Sequence, residues 1–169
     1  MQDDNRRLHV TNDIIELVSK VGETMEAKRW MLATAESCTG GAIAYSITEV
    51  PGSGDWFDCG FVTYTNTAKA DMLDVPSAVI AQFGAVSEEV AAAMASGAVA
   101  NSSADVAVST TGIAGPTGAV PGKPLGTVCF GWARRDHVYT ERLVFQGDRH
   151  AVREQATAHA LKGLLRFCE

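Results

Sequence analysis

A three-layer α/β/α sandwich around a mixed central sheet of about five strands is the α/β fold class that this sequence predicts. Three observations carry it. Helical and strand patterns alternate through the early part of the chain, two successive strands meet near residue 135, and a long amphipathic helix closes the sequence. Strands joined through helices pair in parallel, whereas strands joined by a tight turn pair antiparallel, so one sheet holding both is mixed.

The elements follow in order. Residues 1–11 are polar and are expected to form a flexible arm, leaving 12–169 as a single domain. From Asn12 to about Arg29, Ile14, Ile15, Val18, Val21 and Met25 recur at helical spacing. Asp13 with Glu16 resembles a capping box, which puts the helix start there. "WMLATA" (30–35) reads as a buried strand, and a helix from about Gly40 to Thr48 is closed by Pro51, Gly52 and Gly54. "DCGFVTYT" (58–65) is the next strand, with Asn66 capping a short helix that carries Lys69. "PSAVIAQFG" (76–84) is a second short helix, ended by Gly84. Ser87 before Glu88 and Glu89 starts a helix over 88–100 whose residues are small enough to serve a core or an interface between copies. "DVAVSTTG" (105–112) is a continuous strand, and "TVCFGWARR" with "HVYTERLVF" forms a hairpin around Arg135-Asp136. The last helix runs from about Asp148 to Phe167, with Val152, Ala156, Ala160, Leu161, Leu164 and Leu165 on its apolar face.

Composition excludes several functions. The 169 residues are 46% apolar and 20% charged, which suits a globular domain and not a disordered chain. A net charge of -6 leaves no basic stripe for nucleic acid. No apolar run approaches the roughly 20 residues of a membrane span, and the N-terminus lacks a signal peptide's apolar core. Cys38, Cys59, Cys129 and Cys168 are scattered, so reduced thiols and a cytoplasmic location are expected. His9, His137, His150 and His159 show no metal-ligand spacing, so neither a metal nor a cofactor is expected. Phosphate-loop, dinucleotide and Gly-x-Ser-x-Gly motifs are missing too.

Three features point to chemistry. "AESCTGG" puts Ser37, Cys38, Thr39 and Gly40 where a strand hands over to a helix. There, backbone N–H groups and the helix dipole can hold a phosphate or an oxyanion. The plainer alternative is that Ser37 and Thr39 simply cap the helix. Lys69 lies five residues after Tyr64 at another strand–helix junction, either as a partner for Ser37 or as a solvated surface lysine. Finally, "GIAGPTGAVPGKPLG" (112–126) has five glycines and three prolines in 15 residues, begins just after Thr111, and is long for a structureless connection.

Five blocks then occur in order: "TAESCTGG", "GFVTYTNTAKADML", "GAVSEEVAAAM", "GIAGP" with "KPLGTV", and "GDRHAVREQA". Together they resemble the CinA C-terminal domain family, over roughly residues 12–167. The form resembled is the single-domain one, whose stand-alone members are nicotinamide-nucleotide amidohydrolases. The resemblance implies hydrolysis of the carboxamide of nicotinamide mononucleotide to nicotinate mononucleotide and ammonia. It makes Ser37 the nucleophile and Lys69 the base, with Tyr64 beside them and Cys38 a packed neighbour. A hydroxyl nucleophile needs such a base, and the base must be neutral. An unperturbed lysine is only about 0.04% neutral at pH 7, so burial or a nearby cation has to depress its pKa. Backbone N–H groups near Ser37, Thr39, Gly40 or Gly112 are candidate oxyanion donors, with Thr111 alongside; Arg149, Arg153 and the glycine-rich loop are candidates for the phosphate. The alternative is a non-catalytic nucleotide-binding or regulatory module of the same fold, and amide hydrolysis on another small carboxamide is a third reading. A homo-oligomer is open; a nucleic-acid or membrane partner is not expected.

Overall fold

The computed structural model describes residues 10–169. The flexible arm expected over residues 1–11 therefore lies, for residues 1–9, outside the described part. Val10 packs against the core, and Thr11 caps the first helix with its hydroxyl.

Among the described residues six α-helices and five strands run α1 (Asn12–Lys28), β1 (Leu32–Glu36), α2 (Ala42–Thr48), β2 (Phe57–Val62), α3 (Asn66–Leu73), α4 (Ser77–Phe83), α5 (Glu88–Ala100), β3 (Val106–Gly112), β4 (Thr127–Arg134), β5 (His137–Val144) and α6 (Arg149–Phe167). The strands make one mixed sheet in the order β2-β1-β3-β4-β5. β1 pairs in parallel with β2 and β3, while β3–β4 and β4–β5 are antiparallel. Helices cover both faces, so the sandwich and its mixed sheet are as the sequence predicts.

The period-two alternation of strands gives the two faces different characters. Leu32, Val106, Val108, Val128, Phe130 and Trp132 point to one core, shared with α1, α2 and α6. Ala33, Ala35, Ala107 and Ala133 point to the other, shared with α3, α4 and α5. Small residues on that side let α5 lie close: a Cβ on Gly131 would meet the Ala91 carbonyl, and Ser109 donates to that same oxygen at 2.6 Å. α5 buries Val90, Ala91, Met94, Ala95, Gly97, Ala98 and Val99 within its own chain. Its small residues are therefore used in the core rather than left for an interface.

Several ends shift by one to three residues from their predicted places; the strand predicted over 58–65 ends at Val62, since Thr65 already caps the next helix. α1 is capped by Thr11, whose Oγ1 accepts from the Ile14 N–H, and not by an Asp13–Glu16 box; Asp13 sits in the first turn beside the positive end of the dipole. Thr65, not Asn66, caps α3. α2 begins at Ala42 rather than Gly40, because Gly40 (φ 60°) and Gly41 (φ 94°) hold left-handed conformations that no helix start can use.

Candidate active site

The carboxyl ends of β1, β2 and β3 lie side by side at one edge of the sheet, the usual place for a ligand in an α/β fold. Ser37 follows β1 directly, and its N–H donates to the Thr110 carbonyl of β3 at 3.0 Å. Lys69 lies on α3, which starts four residues after β2 ends. Its side chain runs back under the β2–α3 turn, so that Nζ lies 3.0 Å from Ser37 Oγ.

Nζ also reaches the carbonyls of Thr63 (2.8 Å) and Tyr64 (3.4 Å). Lys69 is 1% exposed, so the solvated-lysine alternative does not hold. Among the described residues no carboxylate pairs with it. Burial pulls its pKa below the ordinary lysine value, opposed only by the Cys38 thiol. Three oxygens around Nζ match the three protons of an ammonium. Once one proton leaves, two carbonyls still hold the amine, and its lone pair faces Ser37 Oγ. Ser37 is 8% exposed and has no capping contact with α2. The hydroxyl belongs to Lys69.

The helix is capped instead by Glu36, a residue the sequence reading missed. Fully buried, its carboxylate accepts from Thr39 Oγ1 (2.6 Å) and from the N–H groups of Gly41 (3.0 Å), Ile43 (3.1 Å) and Ala44 (2.9 Å). The first amides of α2 are therefore not free for a phosphate or oxyanion, which leaves those of the loop before it. The signal was present: an acidic residue ends an apolar strand, and the helix after it opens on two glycines with no side chain able to cap it. The Thr39 side chain is likewise committed within the protein, which leaves only its N–H for a ligand. Its hydroxyl is wholly buried between Glu36 and Thr110 Oγ1 (2.8 Å).

Thr111 lies one position past the Glu36–Thr110 pairing, on the same face of the sheet as Ser37, and its buried hydroxyl donates to the Ala85 carbonyl at 2.7 Å. Gly112 serves close packing: a Cβ there would meet the Thr127 carbonyl and Cys38 Sγ. Cys38 is the packed neighbour expected, with burial, and then the Glu36 charge, pushing its thiol up to about 12. Gly40 is exposed beside the Arg153 guanidinium.

Tyr64 and Arg149 meet at the rim. Tyr64 is 60% exposed, and its hydroxyl accepts from Arg149 Nη2 at 3.1 Å rather than contacting Ser37. Arg149 Nη1 donates to the Gly115 carbonyl at 2.9 Å, tying the glycine-rich loop to the start of α6. That loop is an ordered strap: Lys123 Nζ donates to the Phe83 carbonyl at 2.8 Å, and Arg142 donates to the Gly122 carbonyl. Arg153 Nε and Nη2 donate to the carbonyls of Cys38 (3.1 Å) and Thr39 (3.0 Å). Among the described residues the N–H groups of Cys38 and Thr39 have no acceptor. His159 is structural, 2.6 Å from Glu141 Oε2 and packed tilted and edge-on among Phe130, Trp132 and Phe145. No group of three His, Cys, Asp or Glu that could hold a metal occurs among the described residues. No described helix is long and apolar enough to cross a membrane.

Comparison with known proteins gives the family. The family model described as CinA C-terminal domain matches residues 14–168. A protein of Pseudomonas putida named nicotinamide-nucleotide amidohydrolase PncC is 49% identical over 154 residues, covering 91% of this chain and 96% of that protein. The protein of the same name from Escherichia coli K12 is 50% identical over 154 residues, covering 90% and 93%. The crystal structure of competence/damage inducible protein CihA from Agrobacterium tumefaciens superposes with a TM-score of 0.93 at 39% identity, covering 96% of this chain and all of that one.

Proposed function

Because the chain belongs to the CinA C-terminal domain family, we propose that it is an amidohydrolase that converts nicotinamide mononucleotide to nicotinate mononucleotide and ammonia through a Ser37/Lys69 pair. One observation carries the mechanism. A buried lysine with no carboxylate partner stands 3.0 Å from a hydroxyl that has no other structural task. A nucleotide-binding module without catalysis would have no use for a lysine whose charge is disfavoured by burial and left without a carboxylate partner.

Neutral Lys69 takes the Ser37 proton as Oγ attacks the carboxamide carbon, and the carbonyl electron pair moves onto oxygen. The resulting ammonium then protonates the leaving nitrogen, which departs as ammonia and leaves a Ser37 ester. Water, deprotonated by the same amine, hydrolyses that ester and returns the enzyme. The exposed ring of Tyr64 offers the pyridinium an aromatic face. Arg149 next to it offers the phosphate a guanidinium with further donors to spare.

The test is ammonia release from nicotinamide mononucleotide, nicotinamide riboside, nicotinamide and unrelated small carboxamides. The mononucleotide is expected to be the preferred substrate, with nicotinate mononucleotide identified by mass. Preference for another amide would overturn the substrate, and a Lys69→Arg enzyme with near-normal kcat would overturn the base, since guanidinium keeps its charge.

A further inference from the structure

Arg153 lies one helical turn into α6, directly behind the turn that carries the nucleophile. Both of its bonded nitrogens hold consecutive carbonyls of that turn, Cys38 by Nε and Thr39 by Nη2. In a trans peptide the N–H points opposite to the C=O. Drawing the Cys38 carbonyl toward α6 therefore fixes the Thr39 N–H on the side away from α6. The Ser37 carbonyl accepts from the Gly40 N–H at 3.0 Å, which fixes the Cys38 N–H in the same manner. In this turn these two amides have no backbone acceptor among the described residues, and they immediately follow the attacking hydroxyl. The neighbouring amides of α2 are bound to Glu36 and cannot take part.

We propose that Arg153 is a positioning residue for the reaction. It holds the Cys38–Thr39 and Thr39–Gly40 peptide planes, the second of which carries the Gly40 N–H that holds the Ser37 carbonyl, so that the Thr39 and Cys38 N–H groups receive the oxyanion formed when Ser37 attacks an amide. This rests on Ser37 being the nucleophile, as argued above, but not on which carboxamide is the substrate. It also separates Arg153 from Arg149: although both are candidates for the phosphate on sequence, Arg153 is committed to the backbone. The step needs no co-reactant, since the oxygen gains the carbonyl electron pair and Lys69 keeps the proton.

Arg153 also borders a cavity of about 350 Å³ lined with it by Val10, Gly40, Gly41, Tyr45 and Thr157. Removal of the side chain would open that cavity onto the two carbonyls, and a free guanidinium ion fits such a space. Three readouts test the proposal in Arg153→Ala and in Arg153→Gln, which keeps one donor. Loss of an oxyanion donor typically costs about 100-fold in kcat. Arg153→Ala is therefore expected to lose about that factor in kcat with little change in KM, equally for nicotinamide mononucleotide and for the phosphate-free riboside. Labelling of Ser37 by a fluorophosphonate, which builds charge on oxygen in the same place, should slow by a similar factor. Millimolar guanidinium should restore part of both rates, and Arg153→Gln should fall between. A loss confined to KM, or to the phosphorylated substrate, would instead make Arg153 a phosphate ligand and overturn the proposal. So would labelling at the wild-type rate. Wild-type protein that labels at Ser37 yet releases no ammonia from the mononucleotide would overturn the substrate reading; slower labelling of the variants would still uphold the role of Arg153. A wild-type Ser37 that does not label would overturn both.

Discussion

Burial of Lys69 acts against its own protonation, and two consequences can be measured. Its pKa in the folded protein lies below the ordinary 10.5. Protons bound to this amine hold back the reaction, so log(kcat/KM) is expected to climb with unit slope as pH rises and to level off below pH 10.5. A rate that is flat across that range would show that no lysine is acting as base. Stability follows the same shift. Between the folded and unfolded pKa values the unfolded chain binds more protons at this site, so the folded state gains on it as pH rises. Lys69→Met has no such term. Wild type should therefore gain stability relative to Lys69→Met between pH 7 and 10, read from urea midpoints; a constant difference would contradict it. The lost bonds to the Thr63 and Tyr64 carbonyls are present at both pH values and cancel. At the next position the contrast is sharp: Ser37→Ala should abolish turnover and leave the fold intact, whereas Cys38→Ala should keep most activity. A thiol raised to about 12 and packed against Gly112 is no nucleophile near neutrality. Ammonia release by the two purified variants decides this.

Among the elements, the helices and strands were legible because each carries its own period and its own punctuation. Ser87 does cap α5, the last helix does start within one residue of Asp148, and the hairpin does turn at Arg135-Asp136. Less legible was any feature in which one element completes another. Glu36 belongs to β1 but caps α2; Lys69 belongs to α3 but serves the turn after β1. Local patterns are silent on such pairs, since the distance between partners is set by the sheet. α5 shows the same thing through packing. Gly97 is interior to the helix, where Ala in place of Gly ordinarily stabilises by about 0.5–1 kcal/mol. Here a Cβ would run into the carbonyl of Leu73 at the end of α3. Gly97→Ala is accordingly expected to destabilise, by about 1–3 kcal/mol for overpacking a backbone contact. A raised melting temperature would show that α3 and α5 part without cost.

Across the whole molecule, the fold class was readable while the strand order β2-β1-β3-β4-β5 was not, because order and register depend on contacts between segments far apart in the chain. The ordered blocks of the family implied that Ser37 meets Lys69, but not that Tyr64 meets Arg149 at the rim. The structure brings Ser37 to Lys69 and Tyr64 to Arg149, and ties the hydroxyls of Thr39 and Thr111 to Glu36 and the Ala85 carbonyl. The pair needs no third partner from outside the chain, and no metal-ligand cluster occurs among the described residues. Activity is therefore expected to survive exhaustive treatment with EDTA. Loss on chelation with recovery on adding a divalent ion would overturn the proposed Ser/Lys mechanism.

The depth of Lys69 decides which inhibitors can work. Amine-directed acylating agents will be consumed at Lys20, Lys28 and Lys162, which stand in solvent, while the amine that matters stays shielded. A compact electrophile that passes Tyr64 and Arg149 meets Ser37 Oγ first, and Lys69 is then the group that drives its capture. Warheads for this enzyme class are thus selected by reach into the site, and a lysine-reactive library should return nothing that competes with substrate.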